Sequence, residues 1–250
     1  MADRGNDPRL TNFDLFVLGV SVLSLLNILL VIAPLSDPVT NVVLIVDGVL
    51  CLIFLVDFLL RFRQAPVKRV YFLREQGWLD LLGSLPLPGL RLARIFRVVR
   101  SGRTAGHFGI RGIWRTFNAD RAGSALLGTL FLAIVVLQFG SMLVLGAEAD
   151  REATNIKTAS DALWWSYVTV TTVGYGDRFP VTNQGRLVGV AMLTIGIGLF
   201  GVLTGYVTNA ILAPRHAKPG QHAEESSEIL VEIKELRRLV RELSEQVSNR

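Results

Sequence analysis

Cysteine is almost missing from this chain: there is one, Cys51. A lone thiol excludes an internal disulfide framework. Its place in an apolar run, between Leu50 and Leu52, suits a small buried hydrophobe. Charge is scarce as well. Only 19% of the 250 residues are Asp, Glu, Lys or Arg, while half are hydrophobic and mean hydropathy is +0.43. A water-soluble domain of this length needs more polar surface than that, so the soluble globular class is excluded. Strand-like alternation is absent from every apolar run, which leaves helices. The formal charge of +5 raises the possibility of nucleic-acid binding. The basic residues, however, sit mainly between apolar runs, the distribution that orients a membrane protein. No nucleic-acid partner is expected; the expected surroundings are a lipid bilayer.

What is present is a series of long, nearly charge-free stretches. Residues 15–33 carry no charge and are long enough to cross about 30 Å of hydrocarbon. Residues 42–60 form a second run that contains Asp47 and Asp57. The third, 78–90, is short, holds Asp80 and is broken by Pro86 and Pro88. Residues 90–103 follow at once, apolar except for regularly spaced arginines. Residues 122–147 and 187–214 are long and uncharged, and between them 160–171 is too short to span. The pattern predicts an all-α integral membrane protein with six spans and one re-entrant segment. Residues 1–11 do not read as a signal peptide, so the first run is expected to remain in the mature chain. Arg61, Arg63, Lys68, Arg69 and Arg74 fill the second connection, while 34–41 has no Lys or Arg. The positive-inside rule therefore puts both termini in the cytoplasm.

Residues 171–177 read Thr-Thr-Val-Gly-Tyr-Gly-Asp. A dehydrated potassium ion needs a cage of oxygens, which backbone carbonyls can supply if they converge on one axis. Gly174 and Gly176 can take positive φ, letting successive carbonyls face the same way. The candidate ion site is thus Thr172, Val173, Gly174, Tyr175, Gly176 and Asp177, with K+ held at Thr172, Val173, Gly174 and Tyr175. One chain supplies a quarter of each oxygen ring, so a homotetramer is expected. Potassium is the permeant ion; no cofactor is expected. Upstream, Thr158 and Asp161 have capping-box spacing before an aromatic half-helix with Trp164, Trp165 and Tyr167. Gly-Tyr-Gly alone is an ordinary turn triplet; the whole heptapeptide in this setting is far more specific.

Arg91, Arg94, Arg97, Arg100 and Arg103 recur every third residue. Arginine in hydrocarbon is costly and marks function or pairing. Moving one elementary charge through the membrane potential is worth about 2.3 kcal/mol per 100 mV, so several per subunit can drive a voltage-dependent change. A basic helix lying on the membrane surface is the alternative reading. Asp47 and Asp57, close to three helical turns apart, share roughly one face of the second run, with Phe54 between them.

Residues 164–177 resemble the signature of the potassium channel superfamily. Six spans with an arginine-repeat fourth narrow the resemblance to the voltage-gated family, prokaryotic type, over roughly residues 13–213. The resemblance implies a cytoplasmic segment 1–12, a voltage-sensor domain 13–103, a linker helix 104–121 and a pore domain 122–213. It also implies that Asp47, Phe54, Asp57 and Asp80 form the site through which arginines pass, and that Gly196 stands at the gate hinge. Close packing is the other reading of that glycine. The expected location is the bacterial inner membrane.

The third span, 77–90, is only about 20 Å long as a helix, so a tight hairpin at Pro86, Pro88 and Gly89 is expected. A linker, 214–227, precedes a short coiled-coil segment, 228–248, whose apolar stripe includes Ile229, Ile233, Leu236, Val240, Leu243 and Val247. No small-molecule ligand domain is expected in a tail of that length. Phe179 is placed to ring the outer mouth and hold a quaternary ammonium blocker. The chain is expected to be a channel and not an enzyme. The competing functional readings are a voltage-insensitive leak, a potassium-uptake transporter subunit and a sensor-only protein.

Overall fold

A computed structural model describes residues 11–65, 72, 77–84, 114, 116, 118, 120–149, 151–212, 232 and 235. Every regular element among these residues is helical: α1 (Asn12–Ile32), α2 (Asp37–Gln64), α3 (Gly77–Ser84), α4 (Arg121–Glu148), α5 (Ala159–Val170) and α6 (Asn183–Leu212). Four of them, α1, α2, α4 and α6, are long and apolar enough to cross a membrane. The chain is therefore a multi-pass membrane protein.

Local chemistry sets the ends. Thr11 caps α1 in a reciprocal box: its hydroxyl accepts from Asp14 N–H, and the Asp14 carboxylate accepts from Thr11 N–H. The helix stops before Pro34, which holds Ala33 extended. The second apolar run becomes a longer helix than its uncharged part suggests. Pro38 starts it, Asp37 lies in the first turn, and Arg61 and Arg63 lie in the last, each charge favourable to the helix dipole. Asp120 caps α4 by accepting from Gly123 N–H at 2.9 Å. The box expected at Thr158 and Asp161 caps α5, with both of its bonds made.

Helix α1 packs on α2 and α4; α2 also meets α3 and α5; α4 lies along α5. Their apolar residues merge into one core, with Val20, Leu50 and Phe54 joining Val144, Ile156 and Trp165. Helix α6 differs: it buries only Gly185, Gly189, Met192, Gly196 and Leu199. Small residues allow close helix approach in a membrane. A Cβ on Gly140 would stand 2.5 Å from the Met192 sulfur.

Several sequence expectations fall outside the described residues. These are the side chain of Asp80, the hairpin at Pro86, Pro88 and Gly89, the arginines 91, 94, 97, 100 and 103, and nearly all of the tail. Of the linker 104–121, Trp114 is helical and exposed.

Candidate functional site

The heptapeptide begins where α5 ends. Thr172, Gly174 and Gly176 take positive φ, at 60°, 60° and 77°. The two glycines meet no steric penalty there, whereas Thr172 carries a strain of about 1–2 kcal/mol. Sequence reasoning anticipated the glycines and missed the threonine, because an L-residue is not expected in that region. Nearby N–H groups turn back onto α5: Thr172 donates to Thr169 O at 3.0 Å, and Val173 and Gly174 both donate to Val168 O, at 3.1 and 3.4 Å. Three successive N–H groups are thus satisfied by α5, while the backbone ribbon alternates in handedness from Thr172 to Gly176.

Side chains clasp the far end of this ribbon. Trp164 of α5 stacks on Tyr175, with ring centroids 5.9 Å apart and planes 3° from parallel. The Trp164 indole N–H donates to Asp177 Oδ2 at 2.8 Å. Asn155 donates to the Asp177 carbonyl and accepts from Phe179 N–H, each at 3.1 Å. Arg178 pairs with Asp161 at 2.9 Å and donates to the Asn155 carbonyl. Burial pushes the Asp161 carboxyl up, but three hydrogen bonds, from the Thr158 hydroxyl and N–H and from Lys157 N–H, together with the Arg178 charge outweigh it. The group is held below its usual range. Residues 172–177 are nonetheless all exposed. Val173 is 54% exposed, Tyr175 69% and Phe179 52%. A cleft of about 340 Å³ lies beside it, lined by Trp165, Val168, Thr172, Gly174, Gly189 and Leu193.

Glu148 was not legible as part of this region. It is a single carboxylate at the end of an uncharged run, which in sequence looks like any interfacial charge. In the structure it is fully buried. It accepts from Val181 N–H at 3.1 Å, Thr182 N–H at 2.9 Å and the Thr182 hydroxyl at 2.6 Å. Thr182 in turn accepts from Gly185 N–H at 2.9 Å in the first turn of α6. Glu148 therefore ties the end of α4 to the start of α6. Gly196 lies where α6 passes the end of α5: a Cβ there would stand 2.5 Å from Val170 O and 2.9 Å from its Cα. Helix α6 runs unbroken through this glycine.

The second candidate region is on α2. Asp47 is 4% exposed, Asp57 3%, and Phe54 between them is fully enclosed. Ser24 of α1 places its hydroxyl 3.4 Å from Asp47 Oδ1. Asp57 is bonded to Arg61, one turn on, at 2.7 Å, and the same guanidinium reaches Asp14 of α1 at 2.9 Å. Sequence reasoning assigned Arg61 only to the basic connection. Its role as partner to a buried carboxylate follows from the i, i+4 spacing once Asp57 is known to be buried.

Residues 10–213 match the ion transport protein family. The chain is 29% identical over 206 residues to a voltage-gated potassium channel of Aeropyrum pernix, covering 77% of this chain and 70% of the relative. It is 30% identical over 187 residues to potassium voltage-gated channel subfamily A member 2 of Xenopus laevis, covering 65% of this chain and 37% of that one. For subfamily A member 7 of Mus musculus the figures are 31% over 189 residues, 66% and 38%. The chain thus spans most of the archaeal relative and under two fifths of the vertebrate ones. The matched residues take in all of the clasped ribbon, the acidic helix α2 and the four long apolar helices. On that extent of match, the chain belongs to the ion transport protein family.

Proposed function

We propose that this chain is one of four identical subunits of a voltage-gated, potassium-selective channel, with residues 172–176 forming its filter. The observation that carries the reading is the alternation of positive φ at Thr172, Gly174 and Gly176 with N–H groups turned onto α5. Carbonyls of Thr172, Val173, Gly174 and Tyr175 then face a common axis, and the Thr172 hydroxyl adds an inner ring. Potassium passes from ring to ring without its water. Four chains complete each ring, and the bare cleft beside the ribbon is where the neighbouring copy sits. The C-terminal end of α5 points partial negative charge at the ion path. The printed functions of the archaeal and vertebrate relatives support the same reading.

Voltage control falls to Arg91, Arg94, Arg97, Arg100 and Arg103, which move past Phe54 between Asp47, Asp57 and Asp80. Because Asp57 already holds Arg61, an arriving arginine shares or displaces an existing partner. Opening bends α6 at Gly196, and a four-stranded coil at 228–248 holds the cytoplasmic ends together. The protein resides in the bacterial inner membrane with both termini inside and opens on depolarisation.

The test is a voltage-step recording from purified protein in planar bilayers. Potassium current that rises steeply with voltage is expected, and Arg94→Gln with Arg97→Gln should make the rise shallower. Steepness unchanged in the double variant would remove the sensor; wild-type current indifferent to voltage would make the protein a leak.

A further inference from the structure

The exit of the ribbon is gripped by a side chain from the connection between α4 and α5. Asn155 carries an amide, chemically a peptide group with one acceptor and one donor end. Both ends are used. Nδ2 donates to the Asp177 carbonyl and Oδ1 accepts from Phe179 N–H, each at 3.1 Å. Those are the two peptide groups on either side of Arg178. Arg178 returns the contact: its Nη1 donates to the Asn155 carbonyl, and its Nη2 meets Asp161 Oδ1 at 2.9 Å. The side chain of Asn155 thus holds the backbone around Arg178, and the side chain of Arg178 holds the backbone of Asn155.

This reciprocal clasp stands on a fixed base. Asn155 lies between Thr154, which is 4% exposed, and Ile156, which is fully buried in the common core. Ile156 N–H donates to the Thr154 hydroxyl at 3.2 Å, and that hydroxyl bonds the buried Glu148 carboxylate. On the other side, Asp161 belongs to the cap of α5. The clasp is needed most at the outer end. Backbone bonds to α5 come from Thr172, Val173 and Gly174, at the inner end. Farther out the holds are the Tyr175 ring on Trp164 and the two grips on Asp177. Trp164 takes the carboxylate and leaves the peptide group free to turn; Asn155 takes the carbonyl of that peptide group. Carbonyls converging on one axis repel each other, and a bound cation offsets the repulsion by mass action. With the path empty, only protein contacts hold the oxygens in place.

We propose that Asn155 is a positioning residue for conduction: through the Asp177 carbonyl and Arg178 it fixes the outer end of residues 172–176, and so sets how long the path survives when potassium is scarce outside. Asn155 touches no ion; it acts through the residues it holds. The inference rests on the channel reading above. It adds a residue outside the heptapeptide and outside the aromatic clasp, with a stated dependence on the permeant ion.

The test is the rate of current decay during a held voltage step, recorded from the full-length protein in planar bilayers at low and at high external potassium. The proteins compared are the wild type, Asn155→Ala, Asn155→Asp, Arg178→Met and the Asn155→Ala, Arg178→Met pair. In low potassium Asn155→Ala should decay faster than wild type by roughly 2- to 10-fold, the weight of one neutral hydrogen bond. High external potassium should close that gap, which a general defect of folding would not allow. Asn155→Asp keeps the acceptor for Phe179 N–H and loses the donor to Asp177, so it should decay as Asn155→Ala does. Its side chain has the same shape, so it carries the test where the alanine variant fails to assemble. In the pair, decay should quicken by less than the product of the two single effects, because both residues belong to one clasp. Wild-type decay in Asn155→Ala or Asn155→Asp, a gap that potassium leaves unchanged, or single effects that multiply in the pair would overturn the positioning role. Potassium-selective current in the wild type upholds the channel reading even where Asn155 fails; a wild type without it removes both.

Discussion

Helices α1 and α2 bury much more of their length within the chain than α6 does, and residues 172–176 are exposed throughout. On α2, two carboxylates and a phenyl ring are enclosed, and Arg61 bridges Asp57 and Asp14. The ribbon turns the N–H groups of Thr172, Val173 and Gly174 to α5, yet Val173, Tyr175 and Phe179 stand half or more exposed. Helix α6 buries five residues, three of them glycine. Charge in hydrocarbon must be paired at once, so a charged helix finds its partners inside the chain. A ring of carbonyls cannot be closed by one chain at all. On the channel reading proposed above, the first region is self-sufficient and the second is repeated about an axis.

The largest effect should come from the unfinished region. Gly174→Ala forces an L-residue to φ +60°, costing about 1–2 kcal/mol per chain, four times in each channel. Selective potassium current should vanish in bilayers while native mass spectrometry still finds four chains. Normal current would mean that this glycine's φ is not what shapes the path. In the finished region, Arg61→Gln strands a buried carboxylate. Loss of a hydrogen-bonded charge partner costs about 1–3 kcal/mol, and at about 2.3 kcal/mol per charge per 100 mV that displaces the half-activation voltage by roughly tens of millivolts. An unmoved midpoint would separate Asp57 from voltage sensing.

Smaller effects lie at the outer mouth. Phe179→Val removes an exposed ring whose cation–π attraction is worth about 0.5–2 kcal/mol, so external tetraethylammonium block should weaken by roughly 2- to 30-fold. Equal block in both proteins would take Phe179 out of the binding site. Acid should do least. The Asp161 carboxyl is held below its ordinary value, so the stability it lends is fully present above that value and is lost only as pH falls through the lowered one. External acidification to about pH 5, still above the ordinary carboxylate range, should therefore leave current decay unchanged. Asp161→Asn should speed that decay at neutral pH by releasing Arg178. Acceleration between pH 7 and 5 in the wild type, absent in Asp161→Asn, would place the lability at Asp161 after all.

The sequence was most legible where one residue type serves one conformation. Gly174 and Gly176 could be read as positive-φ positions, and the Thr158–Asp161 spacing as a helix cap, because each is a local rule with few alternatives. Helix ends were off by a few residues on α2 and α6, where polar residues extend a helix past its uncharged stretch. Glu148, Asn27, Gln138 and Arg178 were not legible. Each is a single polar residue whose partner lies between 17 and 111 positions away, and no local pattern identifies such a partner. Thr172 was missed for the opposite reason, since the local rule argues against what its surroundings impose.

The most direct test of a potassium filter at 172–176 is the reversal potential of the purified channel in a planar bilayer with unequal potassium on the two sides and sodium making up the difference. A reversal potential that follows the potassium gradient is the predicted result. Reversal near zero, with sodium carrying as much current as potassium, would contradict it.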